Sequence, residues 1–299
     1  MSTSISTSFV VEYLKDATLV FQRTGSYLKN TVRNQPGVVG SSAVFQKIGT
    51  GVATTKARHG AITPMNQDHT AVTCTLADFY AGDWVDKLDL AKIKHDEKMA
   101  IAQSGAMALG RKIDNQILTA LDSTTQTVVT VTVTSSAAIR NGLLEMVENL
   151  HENNVPNDGQ IFGVVSPRLW SQAMTVEEFA SADYVTAQGQ SFVSGMAIGT
   201  KFKDWLGVKW TAHTDVPGIG TATAKSFVYH KSALGYASGA YAGNVAATDG
   251  DQAMAVDISW HGDRAAWFIN HSMSGGAVLI DDTGVIEGNH NDTTAIATS

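Results

Sequence analysis

The sequence predicts a mixed α+β protein, and three observations lead to that class. A proline-free stretch from Lys98 to Ser123 carries apolar residues at helical spacing. The Thr/Val run at 124–136 alternates in the way that is typical of a strand. Helical and strand-like segments are then mixed over the second half of the chain, which favours α+β.

The composition sets limits on the function. The 299 residues suffice for one large domain or two intertwined ones, with 43% hydrophobic and 16% charged residues. The net charge of -7 provides no basic surplus with which to grip nucleic acid. Cys74, the one cysteine, cannot form an internal disulfide, which favours a reducing compartment. Without a signal peptide pattern or a run of 18 apolar residues, we expect a soluble protein made and used in cytoplasm.

The chain begins with a polar, Ser/Thr-rich segment at residues 1–43. Only residues 9–22 have a helical pattern, in which Phe9, Tyr13 and Val20 share one face. We therefore expect an N-terminal arm that contains one short helix.

Residues 44–75 are predicted to form a long β-hairpin. Strand-like ends, VFQKIG and TAVTCTL, bracket a middle that is rich in Gly, Thr and charge. Such a hairpin buries little of itself, and an isolated two-stranded hairpin is marginally stable in water. It is therefore expected either to move freely or to rest on another molecule. The basic cluster Lys56, Arg58 and His59 is the predicted subunit contact.

The helical pattern around Lys98–Ser123 extends back to Asp83, which predicts a helix of about 40 residues and about 60 Å. A compact globule of this size measures only about 50 Å across, so the subunit is predicted to be elongated or flattened, with this helix as its spine. A coiled coil is disfavoured because the apolar stripe is mostly Ala and Met and is interrupted by Lys92 and His95.

The rest of the chain predicts short elements. Residues 137–154 have an amphipathic helical pattern, 159–166 a buried strand, and Ser166-Pro167 the capped start of a helix. Residues 199–217 are expected to form a helix end, a glycine turn and a strand. Strands with turns follow up to residue 287, and residues 288–299 form a polar tail.

The search for reactive chemistry is negative. Asp282 lies in an Asp-Thr-Gly sequence like that of aspartic proteases, but that chemistry needs two such aspartates and the chain has one copy, so a turn is favoured. His151-Glu152 opens like a zinc-protease motif, yet Val155 stands where the second histidine belongs. His261, Asp263 and His271 would meet at a metal only by chance of folding. Nucleotide-binding and serine-nucleophile motifs are absent, so we predict no catalytic, cofactor-binding or metal site, and no enzyme.

The order of elements resembles that of the tailed-bacteriophage major capsid proteins, which have the HK-ninety-seven-like fold. The resemblance covers residues 40–287 and is carried by an ordered set of stretches. GSSAVFQKIG resembles the start of the extended loop, and residues 73–118 resemble the strand that leads into the spine helix. FGVVSPRLWSQAM, DWLGVKWTAHTDVP and YHKSALGYA resemble successive parts of the axial domain and the return from it.

The resemblance implies an α+β, HK-ninety-seven-like capsid fold with an N-terminal arm, an extended hairpin loop, a peripheral domain with the spine helix, and an axial domain. The implied boundaries are arm 1–43, hairpin loop 44–73, peripheral domain 74–135 and 225–262, axial domain 136–224 and 263–287, and tail 288–299. It also implies hexamers and pentamers that assemble in the host bacterial cytoplasm into an icosahedral virion head. That head encloses double-stranded DNA without sequence-specific binding and without a membrane.

The same resemblance implies a portal protein as a further partner, with a decoration protein as an additional candidate. Some relatives have a built-in scaffolding segment before the hairpin. Here the hairpin begins near residue 44, which leaves too short a segment for it, so a separate scaffolding protein is expected. Lys56 lies in the loop, but no asparagine near SWHGDRAAW is a clear cross-linking mate. The segment 177–199 is either the lining of the capsomer centre or an ordinary surface loop.

Three alternatives stay open at the level of the sequence. An encapsulin-like compartment would share the fold but hold cargo enzymes. A hydrolase would use Asp282. A tail-tube or adhesin-type protein would be mostly β, which the spine helix opposes.

Overall fold

A computed structural model gives the fold and describes residues 25–88, 97–177, 202–240 and 255–294. The predicted N-terminal helix at 9–22, His95, and nearly all of the segment 177–199 lie outside these residues. The chain divides into two compact units. The first comprises Met1–Gly25, Asp78–Lys112 and Ala240–Ser274, and the second Ser26–Ala77, Ile113–Gly239 and Gly275–Ser299. The predicted boundaries at residues 225 and 263 do not coincide with the edges of these units, so the peripheral and axial domains stay a prediction.

The described residues contain strands β1 (Arg33–Val38), β2 (Ser42–Ile48), β3 (His69–Thr75), β4 (Ala77–Asp86), β5 (Val129–Val131), β6 (Ile161–Val165), β7 (Lys203–Trp205), β8 (Val208–Ala212), β9 (Ala224–His230), β10 (Leu234–Gly239), β11 (Ala255–His261), β12 (Ala266–Leu279) and β13 (Val285–His290). Their helices are α1 (Glu97–Leu121), α2 (Ser136–Glu152) and α3 (Pro167–Ala173). Short 3-10 turns lie at Lys29–Thr31, Lys231–Ala233 and Asp282–Gly284.

The long helix is shorter than the sequence predicted. Asp83–Asp86, which the helical pattern included, belongs to β4, and α1 has 25 residues. These residues form a strand instead of a helix because β4 pairs with β12 and because Trp84 packs on Phe268, with ring centroids 4.6 Å apart. Such cross-strand aromatic contacts outweigh a weak helical periodicity. The prediction of one 40-residue helix is therefore wrong at its start.

In the first unit, β12 pairs antiparallel with β11, from Ala255↔Ser272 to His261↔Ala266. A tight turn joins the two strands and includes Ala265 in the left-handed region, with φ of 49°. Helix α1 lies against this sheet at Gly105, where an added Cβ would come within 2.5 Å of the His271 ring. Glycine at this position thus allows the helix to approach β12 closely.

In the second unit, six strands form a mixed sheet in the order β5-β13-β9-β6-β8-β7. The first residues of β6 pair parallel with β8 and antiparallel with β9. Helices α2 and α3 cover a core drawn from this sheet and from their own apolar faces. The most deeply buried members include Ile139, Leu143, Met146, Leu150, Ile161, Leu169, Val208, Trp210 and Val228.

Each of these two helices begins with a serine cap, and the cap at Ser166 had been predicted from the sequence. Ser135 Oγ accepts a hydrogen bond from the amide of Ala138 at the start of α2. Ser166 Oγ accepts one from the amide of Leu169, and Pro167 opens α3, where its missing N–H costs nothing. The predicted strands at residues 124–136 and 159–166 are confirmed as β5 and β6.

Three local predictions are corrected. Lys203–Trp205 is the strand β7 instead of a helix end, because Leu206 and Gly207, with φ of 55° and 74°, form a tight turn that pairs it with β8. Arg33–Val38, expected within the arm, is the strand β1 and pairs parallel with β10. The last strand, β13, extends to His290 and so takes in the first residues of the predicted tail.

Candidate assembly surfaces

The predicted hairpin is confirmed in the second unit. Strands β2 and β3 pair antiparallel from Ser42↔Thr75 to Ile48↔His69. The amide of Gly49 then donates to Asp68 O at 2.8 Å, which closes the paired region. Residues 49–68 beyond this point contain no strand and form the tip of the hairpin.

The base of the hairpin is built into the unit. Ala43, Phe45 and Cys74 are buried in one cluster with Ala237 and Ile280. Phe45 is 1% exposed, and its ring lies where a Cβ on Gly235 would come within 2.7 Å. An ion pair of 2.7 Å between Lys47 Nζ and Asp281 Oδ1 adds a polar tie. The base is therefore part of the subunit's own core.

The tip, by contrast, is exposed to solvent. Val52 is 77% exposed, Ile62 76% and Met65 54%. Its internal contacts are few: the amide of Gly60 donates to Ala57 O at 2.9 Å, and Thr54 Oγ1 donates weakly to Thr63 O at 3.4 Å. Exposed apolar side chains on an extended segment with little packing of its own are typical of a surface that another molecule covers.

The basic cluster lies at the far end of this tip. Lys56, Arg58 and His59 are all exposed, and His59 has a φ of 64°, which reverses the chain there. Asp68 is the one acidic residue between residues 49 and 68, so the tip carries a positive excess. The role of the three residues as a subunit contact stays a prediction.

Asp282, the candidate nucleophile or base of the hydrolase alternative, lies in a turn. Its carboxylate accepts hydrogen bonds from the Thr124 hydroxyl (2.7 Å), the Thr125 amide (3.0 Å) and hydroxyl (2.6 Å), and Gln126 Nε2 (3.0 Å). Burial alone would raise the pKa of Asp282, but these four donors together lower it to about 2. A general base works best with a pKa near the working pH, so this carboxylate is suited to holding the 124–126 loop and not to proton transfer.

The other polar candidates also have structural surroundings. His261 packs edge-on against Trp84 at 5.0 Å, and His271 Nδ1 lies 3.3 Å from Ala81 O. Burial lowers the pKa of His271, which keeps its ring neutral. Within the described ranges, no group of three His, Cys, Asp or Glu side chains could hold a metal ion.

Two tryptophans are buried in the second unit, while one in the first unit is partly exposed. Trp205 and Trp210 are buried in the second unit, with ring centroids 6.4 Å apart. Trp260 packs on Trp267 at 5.3 Å in the first unit and is 43% exposed. No helix among the described residues is long and apolar enough to cross a membrane.

Comparisons with known proteins agree over nearly the whole chain. The model of a family described as "Phage capsid protein" matches residues 5–292. No curated protein matches the sequence at a significant level.

Solved structures share the fold at low sequence identity. The capsid of cyanophage P-SCSP1u has 13% identity and a TM-score of 0.72, with 97% of this chain and 95% of that chain covered. The structure of Mycobacterium phage Che8 has 18% identity and a TM-score of 0.68, with 96% and 99% covered. An encapsulin complex from Synechococcus elongatus has 12% identity and a TM-score of 0.62, with 95% of each chain covered. The fold is therefore the α+β, HK-ninety-seven-like fold that the order of elements predicted.

Proposed function

Since the chain belongs to the phage capsid protein family, as a structural and non-enzymatic major capsid protein of the virion, we propose that its copies form hexamers and pentamers of an icosahedral head. The head encloses double-stranded DNA and assembles in the cytoplasm of the host bacterium. A separate scaffolding protein and a portal protein take part, and a decoration protein is a further candidate partner.

The observation that carries this proposal is the contrast within the hairpin. Its base is packed in the subunit around Phe45, whereas its tip exposes Val52, Ile62 and Met65. A tip with this composition gains stability when a neighbouring copy covers it, and the basic cluster Lys56, Arg58 and His59 suits an acidic neighbouring surface. With a net charge of -7, the subunit itself is acidic on balance.

The same acidic balance supports a container for DNA instead of a DNA-gripping protein. Tight phosphate binding draws on a surplus of Lys and Arg, and this chain has 21 such residues against 28 Asp and Glu. The proposed shell therefore holds the genome without sequence-specific contacts.

An encapsulin-like compartment is the second candidate function, because one of the similar solved structures is an encapsulin complex. The two functions differ in what the particle contains. The hydrolase alternative is contradicted by the family membership and by the hydrogen-bonded state of Asp282.

Negative-stain microscopy of the expressed protein, alone and together with the products of neighbouring genes, tests the proposal. We expect closed particles with hexameric and pentameric capsomers. Particles purified from infected cells should contain double-stranded DNA. Particles that contain a folded enzyme and no genome would instead establish the compartment.

A further inference from the structure

A buried carboxylate connects three distant parts of the second unit. Asp114 on α1 is fully buried, and it meets the segment Ser26–Leu28 and the residue His213, which follows β8. The contacts join residues 86 to 99 positions apart in the chain. Sequence reasoning gave no sign of them, because no local pattern links these positions.

The carboxylate accepts several hydrogen bonds from the chain segment that precedes β1. Oδ1 accepts from the Ser26 hydroxyl at 2.5 Å and from the amide of Leu28 at 3.0 Å. The amide of Tyr27 lies 3.1 Å from both carboxylate oxygens. Ser26 Oγ in turn accepts from the amide of Lys29 at 3.1 Å, so the first turn after Gly25 is organised around this one side chain.

His213 completes the site from the other side. Its Nδ1 accepts the amide of Asp215 at 3.1 Å, which leaves Nε2 to carry the proton and to donate to Asp114 Oδ2 at 3.1 Å. Burial alone would raise the pKa of Asp114, but the hydrogen bonds from His213, Ser26 and the two amides lower it below its ordinary value. The acceptor therefore stays charged, and hydrogen bonds to a charged acceptor are stronger than neutral ones.

Several of the residues that follow Ser26 are buried in the second unit. Leu28 and Val32 are buried, and Thr31 Oγ1 lies 2.6 Å from the hydroxyl of Tyr229 on β9.

We propose that Asp114 is an anchor for Ser26–Leu28, the segment that leads into β1 and then into the hairpin, and that copies in which this segment is released no longer assemble into shells. Asp114 and His213 act as positioning residues, since both are buried inside the subunit, where Asp114 holds Ser26–Leu28 and His213 holds Asp114. The second half of the proposal rests on the proposed capsid function.

Hydrogen exchange of the isolated full-length subunit tests the anchor. Asp114→Asn keeps the shape of the side chain but replaces one acceptor by a donor that faces donors. Ser26→Ala removes the two hydrogen bonds of one hydroxyl, to Asp114 and from the Lys29 amide, and keeps the Asp114 carboxylate with its other donors. It therefore stays informative if Asp114→Asn fails to fold. We expect the amides of Tyr27, Leu28 and Lys29 to exchange at least about tenfold faster in either variant, because a hydrogen bond to a charged group contributes that much to the closed state.

The matched control is Asp282→Asn, which removes a carboxylate in the same unit whose four donors all come from residues 124–126 and not from Ser26–Leu28. Asp282→Asn should affect these three amides no more than it affects peptides from α2, whereas both anchor variants should speed the exchange of Tyr27–Lys29 more than that of α2. Unchanged protection of Tyr27–Lys29 in both anchor variants would overturn the proposal.

Assembly of the same variants tests the consequence. We expect a lower yield of closed shells from Ser26→Ala and Asp114→Asn, although α2 stays protected. Faster exchange with a normal yield of shells would refute the role in assembly. Failure of the wild-type chain itself to form shells would refute the capsid proposal and leave the exchange result to judge the anchor.

Discussion

Asp282 illustrates how one carboxylate can resemble a catalytic residue and act as a structural one. The sequence placed it in an Asp-Thr-Gly motif, and the structure surrounds it with donors from Thr124, Thr125 and Gln126. The interpretation of this motif as a turn is confirmed by the 3-10 turn at Asp282–Gly284. The turn was predictable because it is local, whereas the donors come from a loop more than 150 residues away.

We expect Asp282→Asn to lower the free energy of unfolding by about 1–2 kcal/mol at pH 7, because an amide cannot accept all four hydrogen bonds. The folded state lowers the pKa of Asp282 to about 2, so the stabilisation is complete above the unfolded pKa of about 3.9 and is lost as the pH falls through 2. Urea denaturation at pH 7 and near pH 2 should therefore show a difference that shrinks in acid.

The control for this prediction is Asp263→Asn, since the Asp263 side chain is 75% exposed and lies 4.0 Å from Arg264. It should change stability by only a few tenths of a kcal/mol. Shell formation should survive both substitutions. Peptidase activity of the wild type that disappears in Asp282→Asn would contradict the structural role.

At the scale of elements, the hairpin divides into a base that the subunit needs and a tip that it does not. Deleting Gly51–Pro64 and closing the gap with a short Gly/Ser turn should leave the subunit folded, because Val52 and Ile62 are already exposed to solvent. The closing contact between Gly49 and Asp68 lies outside the deletion. Closed shells should no longer form. Circular dichroism reports on the fold and sedimentation on the shells.

A substitution at the base gives the opposite result and serves as the contrast. Phe45→Ala should destabilise the subunit by about 3–5 kcal/mol, because the ring is fully buried. If the tip deletion unfolds the subunit as Phe45→Ala does, the tip belongs to the subunit's own core. If the deleted chain still forms normal shells, the hairpin does not join neighbouring copies.

The charge of the tip can be tested without shortening it. Reversing Lys56 and Arg58 to Glu should lower the yield of shells, and the loss should be larger at low salt, where exposed charges are screened less. The exchange Lys56→Arg with Arg58→Lys keeps both charges and is the matched control. Equal yields from the reversed and the exchanged proteins at low salt would show that the tip charge plays no part in assembly.

The elements also show where sequence patterns reach their limit. Helix α2 and strand β6 were predictable because each has a clear period and a clear boundary. Residues 83–86 had a helical period by coincidence. They form a strand because β4 pairs with β12, nearly 200 residues away in the chain. The three-residue strand β7 offers too few positions for any period to be detected.

At the scale of the whole molecule, the order of elements was more informative than any single motif. The order of the predicted elements gave the resemblance to phage capsid proteins, and the family match and the shared fold confirm that resemblance. The argument from a helix of about 60 Å no longer holds as predicted, because residues 83–86, its predicted start, belong to β4. Lys87 and Leu88 are helical, and residues 89–96 lie outside the described part of the chain. The Asp114 anchor was not predictable, since Ser26, Asp114 and His213 meet only through the tertiary fold.

The central claim is that this chain closes into shells of many copies, and the mass of the particle tests it most directly. Sedimentation of the expressed protein, with and without the proposed scaffolding protein, should give megadalton particles or discrete capsomers. Such assembly fits a subunit whose hairpin tip exposes Val52 and Ile62 while its base stays folded. A monodisperse monomer or dimer under every condition, with the scaffolding protein present, would contradict the claim.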